Sequence, residues 1–548
     1  GRDDVPADGS FFGLGGDSIM SMLLVSHVRK AGLAITVRQV FEHQTPAALA
    51  AVATEATTGP TAAVDSPVGE VPLTPAMHEL LDRTGAAAIG PVAQTSLLVV
   101  PAGLTGDALA AALGRVADRH DMLRARLEVV PERRLLVPEP GGAAPESWLR
   151  RVGASADPAG QTEAAISRLD PVAGVMVQVV WFDRGPDTPG RLLLAVHHLV
   201  ADAVSLRVLV GDLAAAYAGT PLPPAPVPFR HWARSLAAEA VTARRRAELP
   251  LWRRLLAGPP PPERIDPARD VASTLREVTV SVPVPVTGAL LTTAPAAFHA
   301  GVDDLLLAGL AAAVTEWRRT RGRAAGGGVL IDRERHGRAP DGPDLSRTVG
   351  WFTSVQPVRL DPGPVDLAEV RAGGPAAGDA VKRIKEQLRA VPGDGHGHGL
   401  LRRLDPESAP VLAELPSPGI GFNYLGRVGG AATGTREREW TPAGEGDPSG
   451  GGAGDHPVMH ALETLAVVRE RPDGPELTLV VAWPERSLPE RDARALADGW
   501  AAMLTGLAGH TTAPGGGGHT PSDFLLAGLD QSQIDDLENE LADERGTR

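Results

Sequence analysis

The stretch that decides the fold is Leu192-Leu193-Leu194-Ala195-Val196-His197-His198-Leu199-Val200-Ala201-Asp202-Ala203-Val204-Ser205. A short, nearly continuous apolar run reads as a buried strand. It ends on two histidines and an aspartate, where an apolar helical pattern takes over from Ser205 to Tyr217. Adjacent strand residues point to opposite faces, so only one of His197 and His198 can face a given cavity, and the other supports it. From the residues alone, the pair reads equally as a satisfied structural pair or as a catalytic one. A metal site is disfavoured, because no further ligand completes a spacing nearby.

Strands bracket this stretch. Thr95–Val100 and Val177–Phe182 read as strands, and Leu109–Arg119 as a helix. A helix carrying Trp252 ends at Pro259-Pro260-Pro261-Pro262, and a comparable strand and helix series resumes at Val278. The mixed order predicts a layered α/β or α+β architecture in two lobes. In the second lobe, the apolar strand Val329-Leu330-Ile331 runs into Asp332-Arg333-Glu334-Arg335-His336-Gly337-Arg338. Thr348-Val349-Gly350-Trp351-Phe352-Thr353-Ser354 and Gly421-Phe422-Asn423-Tyr424-Leu425-Gly426 follow. Gly, Ala and Thr richness between Arg427 and His456 predicts a long flexible surface loop. Gly393-Asp394-Gly395-His396-Gly397-His398-Gly399 lacks a nearby third ligand, so a metal reading of His396 and His398 is also disfavoured.

Composition narrows the function classes. The chain has 548 residues, too many for one core. A net charge of -14 argues against nucleic-acid binding, which needs basic surface. The absence of cysteine removes disulfides, thiolate catalysis and cysteine-based zinc sites, and it fits a reducing compartment. With no signal peptide or membrane-length apolar run, the expectation is a cytoplasmic protein without a membrane partner. A start at Gly1 without Met reads as a piece excised from a longer polypeptide.

Residues 1–57 predict a small helical bundle. Ile19, Met22, Leu23, Val25 and Val28 keep helical spacing up to Gly32, Thr36 caps a short helix to Phe41, and Thr45-Pro46 opens another. Ser18, at the start of the first of these, is open to two readings. It is an N-cap, or it carries chemistry. Residues 58–70 read as a linker, 71–525 as the large unit divided near 257/258, and 526–548 as an acidic tail. In that tail Ile534, Leu537 and Leu541 form a thin helical stripe, either a frayed solvated end or a docking helix for a partner.

The run Asp8-Gly9-Ser10-Phe11-Phe12-Gly13-Leu14-Gly15-Gly16-Asp17-Ser18-Ile19 resembles the attachment site of peptidyl carrier proteins of nonribosomal peptide synthetases. The resemblance implies 4'-phosphopantetheine on Ser18 bearing an aminoacyl or peptidyl thioester. It also implies a bundle lacking part of its first helix. Residues 71–525 resemble the condensation-domain superfamily through His197-His198-x-x-x-Asp202, and its epimerization branch through the Glu334–Arg338, Val349–Ser354, Phe422–Gly426 and Thr520–Phe524 motifs. The implied fold is a small all-α carrier bundle followed by a two-lobed α/β domain like chloramphenicol acetyltransferase, with a tunnel between the lobes. The implied partners are an upstream adenylation domain, a phosphopantetheinyl transferase, and a downstream condensation domain or synthetase subunit met through the tail. Ala203, Leu206, Arg335 and Met77 depart from the family pattern, and alanine in place of the glycine at 203 predicts backbone strain.

The implied chemistry is inversion of an α-carbon, which requires proton removal from one face and return to the other. One acid or base contributes about 10²–10⁴-fold, too little alone for so weak a carbon acid, so two groups and oxyanion stabilisation are expected. The resemblance offers His198 and Glu334 as the pair. His197 supports, and Asp202 fixes the loop by pairing with an arginine. Asn423 and Tyr424 either donate to the thioester oxygen or orient Glu334, or they are packing; Trp351 and Phe352 read as wall or core. His336 and Arg338 form a solvated loop or position Glu334. Condensation and a non-catalytic recruitment platform are the competing functions. If the carrier reading holds, incubation with coenzyme A and a phosphopantetheinyl transferase adds one phosphopantetheine mass to the peptide containing Ser18, and Ser18→Ala abolishes the increment. An unchanged mass in the native chain overturns the reading.

Overall fold

The computed structural model describes residues 5–11, 14, 16, 18–36, 39–40, 43–55, 66–85, 89, 92–130, 132–142, 144–223, 225–323, 326–338, 342–428, 439–443, 456–513, 515–524 and 528–546. Near the N-terminus, helices Ser18–Lys30 and Pro46–Val52 close around Val25, Ile35, Val40 and Leu49. Thr45 caps the second helix by accepting from the Ala48 N–H at 3.2 Å. Thr36 accepts from the Gln39 N–H at 3.1 Å, while residues 37, 38 and 41 of the helix expected there lie outside the described residues. So do residues 58–65 of the expected linker. Its last residues already belong to the large unit, since Gly69–Val71 pairs with Arg134–Val137.

The apolar run becomes the strand Gly190–His197, every residue of which is buried. It lies inside a sheet ordered Ala93–Val100, Gly190–His197, Val177–Asp183, Leu149–Gly153. Helices Gly106–Arg119 and Ala203–Tyr217 cover one side of this sheet and complete the first core through Leu109, Leu113, Leu209 and Leu213. The second lobe is a six-stranded mixed sheet ordered Leu275–Val282, Gly474–Pro484, Leu462–Arg471, Ile420–Val428, Val329–Arg335, Ser354–Leu360. Its core is built by helices Val302–Thr320, Pro375–Arg389 and Glu490–His510. Trp252 and Leu256, on the helix Leu249–Leu256, pack into this second core, so by packing the crossover precedes residue 258. Among the described residues, no single helix is long and apolar enough to cross a membrane.

Two segments of the second lobe cross into the first. The connection between the antiparallel strands Val329–Arg335 and Ser354–Leu360 places Leu345, Val349, Trp351 and Phe352 in the first core. The second crossing corrects the flexible surface loop expected between Arg427 and His456. Residues 439–443 extend the first sheet beyond its edge strand, with Trp440 N–H donating to Val99 O at 2.7 Å, Val99 N–H to Thr441 O at 2.9 Å and Ala443 N–H to Leu97 O at 2.8 Å. An edge strand offers unpaired N–H and C=O groups, and a compositionally loose segment satisfies them as readily as a patterned one. Residues 429–438 and 444–455 of that stretch lie outside the described residues.

The acidic tail forms the helix Gln531–Gly546 and packs against its own second lobe. Ile534 is buried, Lys382 pairs with Asp535 at 2.9 Å, and His519 bonds Glu538 at 2.8 Å. Leu537 stays exposed, and the side chain of Leu541 lies outside the described residues.

Asp202 and Arg338 fix the principal crossing. Arg338 donates to both Asp202 oxygens at 2.7 and 3.2 Å and to Ser205 Oγ at 3.1 Å, and its guanidinium lies 4.0 Å from the Phe352 ring centre. Both side chains are buried. Arg338→Ala leaves a buried carboxylate unpaired and is expected to cost about 3–5 kcal/mol in denaturant unfolding of the first lobe. Adding Asp202→Ala to it is expected to cost less than the sum of the two single changes.

Candidate active site

The first functional loop is made by capping. The strand ends at His197, and His198–Val200 form a 3-10 turn. Asp202 then caps the helix Ala203–Tyr217, accepting from the Ser205 N–H at 2.7 Å. Ala203 is therefore the first residue of a helix, on its exposed side, and is absent from the non-glycine residues with positive φ. The strain expected there is corrected, because a right-handed helical first turn accepts alanine. Leu206 and Met77 both pack in the first core.

His197 is fully buried and accepts from the Leu199 N–H at 3.2 Å, so it braces the turn. His198 is half-buried. Its Nδ1 lies 2.8 Å from Ala201 O, and a carbonyl only accepts, so Nδ1 carries the proton. Nε2 therefore presents its lone pair, toward which the Gln94 amide points at 3.3 Å. Trp351 stacks on the imidazole with ring centres 4.1 Å apart. Burial pushes the His198 pKa below its ordinary value, partly offset by the bond to Ala201 and by the Asp202 charge. His198 is a neutral base at neutral pH.

The second functional element is the strand Val329–Arg335. Alternation puts Asp332 and Glu334 on one face. The neighbouring strand Ile420–Val428 runs parallel, with Asp332 opposite Gly421 and Arg333 opposite Phe422, so Asn423 comes next, beside Glu334 and on the same face. Tyr424 points the other way and packs on the second core. Glu334 makes no hydrogen bond or ion pair among the described residues. Its side chain is open to solvent, yet the surrounding protein withdraws enough hydration to push its pKa to about 7. Repulsion from Glu463 and Asp202 adds to this, and attraction from His460 opposes it. Asp202 thus acts electrostatically on both His198 and Glu334.

Gly337 and Arg338 after Glu334 are buried, and His336 is half-buried. Arg338 N–H donates to His336 Nδ1 at 3.1 Å, and His396 bonds Gly337 O at 3.0 Å. Gly337 has φ +67, and a Cβ there would meet Phe352 O at 1.6 Å, so only glycine fits. His396 thus anchors this loop from the start of the helix Gly397–Arg403. His398 packs near Trp252 with ring centres 5.5 Å apart.

Sequence reasoning missed Gln94 and a charged cluster under Glu334. His460 sits between Asp332 and Glu463, each at 3.0 Å. Two traces of it were present. Carboxylates at positions 332 and 334 share a sheet face and demand a counter-charge, and a glycine inside a strand signals close approach. A Cβ on Gly421 would meet Glu463 Oε2 at 2.4 Å and His460 Nδ1 at 2.5 Å.

Residues 92–445 match the condensation domain family, and residues 1–53 match the phosphopantetheine attachment site family. The chain belongs to the condensation-domain family. This condensation-domain chain is 33% identical over 566 residues to one of the linear gramicidin synthase polypeptides of Brevibacillus parabrevis, covering 98% of the chain and 10% of that protein. It is 35% identical over 568 residues to chondramide synthase cmdD of Chondromyces crocatus, covering 100% of the chain and 14% of that protein. The chain spans about a tenth of the length of the first of these curated relatives. Among solved structures it is similar to the epimerization domain from the third module of tyrocidine synthetase B, with a TM-score of 0.66, 26% identity, and coverage of 81% of this chain and 97% of that one. The X-domain in its complex with OxyB from teicoplanin biosynthesis, at 0.59 and 21% identity over 82% and 96%, is alike in fold.

The attachment domain suits its cofactor. Ser18 opens a 13-residue helix, whose N-terminal dipole end favours a phosphodiester. The Phe11 ring packs where a Cβ on Gly16 would lie, 2.3 Å away, which accounts for one motif glycine. Phe12, Gly13, Gly15, Asp17 and the Ser18 side chain lie outside the described residues.

The raised pKa of Glu334 links folding to pH. With a folded-state value near 7 against an ordinary 4.5, its contribution to stability is complete below about 4.5 and is lost as pH rises through 7. Glu334→Gln should match the native melting temperature near pH 4.5 and exceed it by a margin that grows up to about pH 7. A margin that does not change with pH overturns the assignment.

Proposed function

We propose that the chain epimerizes the α-carbon of an aminoacyl or peptidyl thioester carried on its own attachment domain at Ser18. The observation that carries this reading is the pairing of protonation states. A neutral imidazole with its Nε2 lone pair presented comes from the first lobe, and an unpartnered carboxyl near pKa 7 comes from the second. Both surround the Asp202–Arg338 crossing. The phosphopantetheine arm supplies the thioester, which makes the α-hydrogen acidic. His198 takes or returns a proton at Nε2 and Glu334 does so at its carboxyl, from opposite sides of the carbon. A carboxyl titrating near neutrality serves as acid or base with similar ease. Asn423, beside Glu334, is the side chain for the thioester oxygen. Likeness to an epimerization domain at 26% identity supports the assignment.

The condensation alternative also uses His198, but it leaves Glu334 and its tuned environment without a task. A phosphopantetheinyl transferase and an adenylation domain upstream are the partners the attachment domain calls for. A downstream condensation domain or synthetase subunit would receive the product, and the reading places all of these in the cytoplasm.

The test loads Ser18 with a defined L-aminoacyl pantetheine in deuterated water and follows α-deuterium uptake and the configuration of the released acid. Native protein is expected to exchange and to yield both configurations. His198→Ala and Glu334→Gln are each expected to lose about 10²–10⁴-fold in exchange. Native-level exchange in both variants overturns the reading. Peptide formation with a second loaded carrier, without exchange, selects condensation.

A further inference from the structure

Both ring nitrogens of His460 face carboxylate oxygens at 3.0 Å, Nε2 on Asp332 and Nδ1 on Glu463. A neutral imidazole has a single N–H and would turn a lone pair toward one of these acceptors, so the geometry calls for an imidazolium. The ring is buried, Asp332 is nearly so, and Glu463 is partly open. The two carboxylates hold the imidazole far above its ordinary value, to about 10 against the cost of burial. With both carboxylates ionised the trio carries net charge -1, although burial and the charges of Glu79 and Glu463 push the Asp332 pKa up, and it shares a sheet face with Glu334. Gly421 leaves the room it needs.

Among the described residues, Glu334 is the carboxylate of this face without a partner. It shares its strand face with Asp332, and it feels the charges of Glu463 and His460 in its own lobe and of Asp202 in the first lobe. Behind the trio, the helix Pro75–Thr84 brings Glu79, which acts on Asp332, and Arg83. Arg83 acts on Glu463 and His198 and donates to Pro457 O at 3.1 Å. Of the charges that act on Glu334, His460 is the cation, and it opposes proton uptake there.

We propose that Asp332, His460 and Glu463 are positioning residues that set the protonation of Glu334, and through it the pH window of the reaction. The second part rests on the epimerization reading above. Removing the imidazolium charge leaves two carboxylates facing Glu334 and favours its protonated form. Removing the Glu463 charge relieves one repulsion and favours the ionised form.

The experiment uses the full chain with carbon-13 in the glutamate carboxyls and follows the Glu334 signal, assigned by its loss in Glu334→Gln, as pH is raised. The pH profile of α-deuterium exchange is recorded beside it. His460→Gln is expected to move the Glu334 midpoint up by about one pH unit, and Glu463→Gln to move it down by about the same. The exchange profile should follow both. A purely structural trio moves neither midpoint, or both in one direction, and that result overturns the proposal. Should His460→Gln fail to fold, Glu463→Gln carries the test: a lowered Glu334 midpoint upholds the proposal, and an unmoved or raised one overturns it. Shifts of opposite sign in a chain that exchanges no deuterium would uphold the trio and defeat the epimerization reading. Exchange without the shifts would do the reverse.

Discussion

The Asp202–Arg338 contact is the constraint on which the other features hang. Asp202 lies four residues after His198, and Arg338 four after Glu334, so one buried ion pair joins the two loops that carry the reacting groups. Asp202 also caps its helix and accepts from the Phe352 N–H at 3.2 Å. Burial would raise its pKa, but Arg338 and the N–H groups around it hold it down. It stays charged, and that charge is felt at both His198 and Glu334. A buried pair of this kind contributes little net stability against an apolar equivalent, and its value here is in fixing geometry.

Around that anchor the lobes are interlocked. The connection that carries Trp351 and Phe352 is built into the first core, and Trp351 meets His198 face to face. Residues 439–443 close the edge of the first sheet. Arg403 pairs with Glu79 and with Asp82 on the helix Pro75–Thr84. Each contact joins residues far apart in the chain, so the lobes cannot shift without breaking sheet hydrogen bonds, core packing and ion pairs together.

Electrostatics gives the two sides different characters. His198 sits in a mostly apolar setting with its proton committed to Ala201, so burial keeps it neutral. Glu334 sits among charges whose sum is negative, so burial and repulsion act together and bring its pKa close to neutrality. The acidic C-terminal helix uses the same chemistry to a structural end, with Lys382 and His519 receiving its carboxylates and Ile534 filling the contact beneath.

The amino-acid sequence by itself determined what local pattern controls. The apolar run is the strand Gly190–His197, and Asp202 reads as a loop-fixing residue and becomes a cap. The motif residues His198 and Glu334 stand at or near strand ends, in two lobes. Capping, alternation and apolar spacing act within a few residues, so they are legible from one segment at a time; Glu334 was named by its resemblance to a family. Tertiary structure alone decided that Ala203 is unstrained, that Asn423 shares the face of Glu334 while Tyr424 packs away, and that residues 439–443 complete a sheet. It also decided that His460 lies between Asp332 and Glu463. Charge coupling and sheet pairing depend on distances between residues that mostly lie far apart in the chain, and no local pattern encodes those distances.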